Sequence, residues 1–103
     1  MTDTVQRRKL EILVDAPLAR RITALAEALG VSGYTLLPAA GGSGRGGRWS
    51  DDQLTGAEAK LMFMTVTSAD KAAALIDALA PLLDSHGLLL IASDVAVVRG
   101  ARF

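Results

Sequence analysis

The chain has 103 residues, room for one domain spanning 1–103, and half of it is hydrophobic with 21% charged, an ordinary balance for a folded protein. Eleven basic side chains cancel eleven acidic ones, which argues against a chain that coats nucleic acid or an anionic membrane. With no cysteine and one histidine, thiol chemistry, disulfides and multi-His metal sites are excluded.

The start, Met1 to Arg8, is too polar for a secretory signal, and no apolar run approaches the ~20 residues of a membrane span, so a cytoplasmic protein is expected. Residues 9–15 alternate, with Leu10, Ile12 and Val14 on one face, and predict the first strand. Asp15-Ala16-Pro17 opens a helix, since proline is tolerated in the first turn. Leu18, Ile22, Leu25 and Leu29 follow at helical spacing and Gly30 is its stop. Residues 33–39 predict a second short strand. The texture then changes: residues 41–47 hold five glycines with Ser43 and Arg45, and the polar stretch continues through Arg48, Trp49, Ser50, Asp51, Asp52 and Gln53. Such a segment has little apolar surface to bury, which predicts a long flexible loop over 41–55. Residues 58–67 predict a third strand, and Ser68 caps a second helix with Ala72, Leu75, Ile76, Leu79, Leu82 and Leu83 along one stripe. Asp84-Ser85-His86-Gly87 reads as a turn, with His86 facing solvent. Leu88 to Val98 reads as a fourth strand, and Arg99 to Phe103 as a basic tail.

The order is that of an α+β, ferredoxin-like βαββαβ domain with both helices on one face of an antiparallel sheet. The third strand carries Leu61 and Phe63 on one side but Met62, Met64 and Val66 on the other, and Leu88 to Ile91 is apolar throughout. An antiparallel strand with one wet face alternates; these do not. The face without helices therefore predicts a homo-oligomer.

The glycine loop offers main-chain N–H groups and two arginine forks, Arg45 and Arg48, that suit a phosphate, but no Gly-Lys-Ser/Thr follows as in a Walker motif. The same composition also suits a plain linker. Trp49, the sole tryptophan, either folds back on the domain or serves as an exposed anchor for a partner protein. Enzyme readings fare badly: Asp51, Asp52 and Glu58 sit on the loop without a rigid frame, Ser43 and Ser50 lack a nearby histidine, and the asparagine that an acylphosphatase uses is missing from the chain. Phe63 alone makes no RNA-stacking platform. No catalytic and no metal-binding residue is expected.

Several residues together resemble the PII signalling proteins: the element order, Ser32-Gly33-Tyr34-Thr35 leading into the long loop, and Asp94-Val95-Ala96-Val97-Val98 followed by Arg99 and Arg102. Departures are informative. The turn before the last strand is Gly87-Leu88 where PII proteins have Gly-Lys, and the only tyrosine, Tyr34, is not in the loop. These features, with the Gly-Arg-rich loop, resemble the PII-like branch associated with bicarbonate transporters and carboxysomes. That resemblance implies a homotrimer that binds an adenine nucleotide between subunits, with bicarbonate as a second ligand and a bicarbonate transporter or other carbon-metabolism protein as partner. It implies that Thr35 lies near the adenine, that the main chain at Thr65 and Val66 meets the base, and that Gly33 and Tyr34 also belong to the nucleotide site. It also implies that Gly87 belongs to the phosphate turn, with Leu88 in place of its lysine, that Gly41 and Ser43 stand at the loop-glycine positions beside Arg45 and Arg48, and that Arg99 and Arg102 match the family's C-terminal arginines in the nucleotide site. The missing lysine favours AMP, ADP or a cyclic nucleotide over ATP. The alternative reading is an amino-acid-binding module of the ACT type; the arginine-bearing loop fits phosphates better than zwitterions.

Overall fold

The computed structural model of the chain describes residues 3–31, 33–44, 47–50 and 59–98. It has β1 (Thr4–Asp15), α1 (Ala16–Ala28), β2 (Thr35–Pro38), β3 (Gly41–Gly44), β4 (Gly47–Ser50), β5 (Lys60–Thr67), α2 (Ala69–His86) and β6 (Leu89–Val98). Four strands form one sheet in the order β2-β5-β1-β6, each pair antiparallel. This is the expected ferredoxin-like arrangement, with a separate β3–β4 hairpin added between β2 and β5.

The register decides what each face buries. Leu10, Ile12 and Val14 of β1 stand opposite Thr65, Phe63 and Leu61 of β5, and this face receives the helices. From α1 come Ala19, Ile22 and Ala26; from α2 come Ala72, Leu75, Leu79 and Leu82. Phe63, Leu10, Ile12, Ile22, Leu75 and Leu79 lose all exposure, and each such burial is worth about 1.5–3 kcal/mol against leaving the side chain in water. The other face carries rows read across the sheet: Leu37, Met62, Leu13, Leu89, and next to it Thr35, Met64, Glu11, Ile91. Leu89 is 52% exposed and Ile91 45%, so this apolar face is open in a single chain.

Local signals account for the helix ends. Ser68 Oγ accepts a hydrogen bond from the Lys71 N–H at 3.2 Å, the N-cap bond expected of serine. Asp15 stands at the N-cap of α1 without capping it, because its carboxylate is drawn to Lys60 at 2.7 Å. Three expectations are corrected. β1 begins at Thr4 rather than residue 9, because β6 runs out to Val98 and pairs with the charged end of β1, Thr4 opposite Val98. Asp84, Ser85 and His86 are the last turn of α2 rather than a free turn; the helix stops only at Gly87, whose φ of 61° places it in the left-handed region that glycine tolerates. The loop expected over 41–55 holds regular structure at 41–44 and 47–50; residues 51–58 lie outside the described residues.

Candidate functional site

The ladder between β2 and β5 runs from Thr35 opposite Met64 to Pro38 opposite Leu61. β5 continues past it through Thr65, Val66 and Thr67, which pair with β1 on one side only. A strand's main-chain N–H and C=O groups point alternately to its two edges, so this stretch presents unlatticed backbone groups at the sheet edge. Beside it lies an open depression of about 260 Å³ lined by Gly33, Tyr34, Thr35, Met64, Thr65 and Val66.

Three contacts shape its rim. The Tyr34 ring stacks on Phe63, centroids 5.3 Å apart, which ties it to the core. Its hydroxyl donates to Glu27 Oε1 of α1 at 3.0 Å. That bond, with smaller contributions from desolvation and from the Glu27 charge, raises the Tyr34 pKa above its ordinary value, while Thr23 pulls the other way. The Thr65 hydroxyl donates to the Gly33 carbonyl oxygen.

The hairpin sits at the other end of β2. Gly42 faces Trp49 across it, and a Cβ at Gly42 stands 2.7 Å from Trp49 Cζ2, so only glycine lets the indole lie this close. Trp49 is half-buried, and Lys60 Nζ is 5.5 Å from its ring centroid while also pairing with Asp15. Trp49 thus lies over its own hairpin and beside the first residue of β5. Gly41, Ser43 and Arg48 share this hairpin, exposed. Lys60, the cation that links the hairpin to the body, was not among the residues singled out from sequence; its only signal there was position, at the start of an apolar strand.

Gly87 and Leu88 stand across the sheet, where α2 turns into β6 beside the Asp15 end of β1. Leu88 packs against the core, so its side chain does not reach out from this turn. The residues named from sequence thus fall into two groups: Gly33, Tyr34, Thr35, Thr65 and Val66 around the depression, and Gly41, Ser43, Arg48, Gly87 and Leu88 at the far end. Between Thr65 and Lys60 along β5 lie about 16 Å at ~3.3 Å per residue. Arg45, Arg99 and Arg102 lie outside the described residues.

A second depression, about 290 Å³, is lined by Gln6, Arg7, Arg8, Ala69 and Asp94. There Asp94 Oδ1 lies 2.8 Å from Arg8 Nε but off the line of its N–H, an ion pair rather than a hydrogen bond. Both side chains are more than a third exposed, so the pair is worth about 0–1 kcal/mol. Among the described residues no group of three His, Asp or Glu side chains is placed to hold a metal, and no helix is long and apolar enough to cross a membrane.

Residues 7–102 match the family model for the nitrogen regulatory protein P-II. No curated protein sequence matches the chain significantly. Among solved structures, CPII, a nitrogen regulatory PII-like protein from Thiomonas intermedia bound to ADP, AMP and bicarbonate, has a TM-score of 0.86 at 21% identity, covering 94% of this chain and 92% of that one. The same protein bound to ADP and bicarbonate gives 0.84 at 22% identity, covering 94% and 93%. A PII-like signalling protein from Thermus thermophilus gives 0.81 at 24% identity, covering 98% of each chain. At these identities the likeness is one of fold.

Proposed function

The chain belongs to the nitrogen regulatory P-II family, and from that premise we propose that it is a PII-like regulator which binds AMP or ADP between the subunits of a homotrimer. Bicarbonate is the second ligand in this reading, as in the CPII structures, and the hairpin region is the surface through which a protein of inorganic carbon metabolism is controlled. The observation that carries it is the depression beside β5. Thr35, Thr65 and Val66, which the family resemblance assigns to the base, line it together with Gly33 and Tyr34, and it offers a flat ligand an aromatic rim and unlatticed backbone groups.

The two-group arrangement supports the intersubunit part. A nucleotide with its base in the depression of one chain and its phosphates at the far-end residues of a neighbouring chain draws on both groups at once. The open apolar face, with Leu37, Met62, Leu13, Leu89, Met64 and Ile91, supplies surface for such assembly. At Leu88 the terminal phosphate of ATP lacks one charge-assisted partner, typically worth ~1.5–3 kcal/mol. ADP or AMP is therefore expected to bind at least as tightly as ATP.

Calorimetric titration of the pure protein with AMP, ADP, ATP, cyclic AMP and amino acids, with and without bicarbonate, tests this alongside light scattering. The expected result is a trimer mass and saturable binding of AMP or ADP with no preference for ATP. A monomer at micromolar concentration removes the intersubunit site. Binding of an amino acid and of no nucleotide favours the ACT-type module instead.

A further inference from the structure

Gly33 and Tyr34 lead into β2 beside Thr65 and Val66 without strand pairing, and the space between these two segments is the depression. Unpaired backbone has no ladder to set its distance from a neighbour, so a gap of this kind drifts in width unless another contact holds it. The Thr65 hydroxyl crosses it to the Gly33 carbonyl, from a residue that is only 2% exposed. Tyr34, through Glu27 and Phe63, holds the same segment from the helix side.

We propose that Thr65 is the positioning residue of this pocket: its side chain is a strut that fixes the spacing between the 33–35 segment and the edge of β5. This rests on the reading of the depression as the nucleotide-base site. A hydroxyl has one proton, and here it is given to Gly33, so Thr65 has none to donate to a ligand. It acts through the wall that it holds. Threonine suits the task, because a β-branched side chain has restricted χ1 freedom and keeps the hydroxyl aimed at little further entropic cost. Valine has the same shape and cannot make the bond. Gly33 is exposed, so its carbonyl turns to water when the strut is lost, and the consequence is a wandering wall rather than an unsatisfied buried group.

The test compares Thr65→Val and Thr65→Ser with the unaltered chain in two measurements. Without ligand, amide hydrogen exchange over the paired start of β2, Thr35 to Leu37, is expected to speed up roughly five- to tenfold in T65V, the scale of one net hydrogen bond, and to return in T65S. With AMP as the probe, affinity is expected to fall by a similar factor in T65V, at unchanged oligomer mass and nearly unchanged melting temperature, and to be restored in T65S. Exchange over Thr35 to Leu37 that is the same in T65V as in the unaltered chain overturns the strut. So does loss of AMP affinity that T65S fails to restore. If the unaltered chain takes no AMP, the nucleotide reading fails while the exchange measurement still decides the strut. Should T65V not fold, Thr65→Cys, similar in size with only a weak donor, carries the same comparison.

Discussion

The sheet body and the β3–β4 hairpin are ordered by different means. In the body, Phe63, Leu10, Ile12 and Val14 are sealed under Ile22, Leu75 and Leu79, and burial of apolar area dominates. In the hairpin, β3 is Gly41-Gly42-Ser43-Gly44 and every residue of it is exposed. What holds it is a short ladder, the indole of Trp49 over Gly42, and the ammonium of Lys60 beside that ring. An isolated two-stranded hairpin is marginal in water, and an exposed cation–π contact adds only about 0.5–1 kcal/mol. The body therefore melts as a unit, and the hairpin opens at far lower cost, which suits a surface that answers to ligand or partner.

Phe63→Ala tests the body side with the largest effect: truncating a sealed phenylalanine costs about 3–5 kcal/mol, and at roughly 4–8 °C per kcal/mol the melting temperature falls steeply. A fall of only a degree or two erases the distinction between the two regions. Gly42→Ala tests the hairpin. The new methyl displaces the indole, so the emission of the sole tryptophan is expected to shift toward that of a water-exposed indole. The melting temperature of the body changes little, because the loss is about 0.5–1 kcal/mol and local. A drop on the scale of the Phe63 variant means that the hairpin belongs to the cooperative core after all.

The smallest effect is at the seam between α1 and the pocket. The bond to Glu27 favours the neutral Tyr34 phenol in the folded chain, so its contribution is present below the ordinary tyrosine pKa and is lost as pH rises through the raised value. Tyr34 is the only tyrosine, so an ultraviolet titration reads it directly. The midpoint is expected above the ordinary value and to return toward it in Glu27→Ala. An unmoved midpoint in that variant denies Glu27 the role.

What was legible in the sequence was what neighbours along the chain decide. The alternation of Leu10, Ile12 and Val14 names a face because strand side chains alternate, Ser68 announces a helix start because its hydroxyl reaches only the next turn, and Gly87 marks its stop. The family resemblance extended this to Gly33, Tyr34, Thr35, Thr65 and Val66, which the fold does bring to one depression. Tertiary structure alone decided the contacts between distant segments. Arg7 and Arg8 are strand because β6 is long enough to pair with them, and the glycine stretch is a hairpin because Gly42 has room for the indole of Trp49. Lys60 lies between Asp15 and Trp49, and Thr65 reaches Gly33 from 32 positions away. None of these has a period or a spacing, because each contact is set by how the sheet orders its strands rather than by the residues on either side of it.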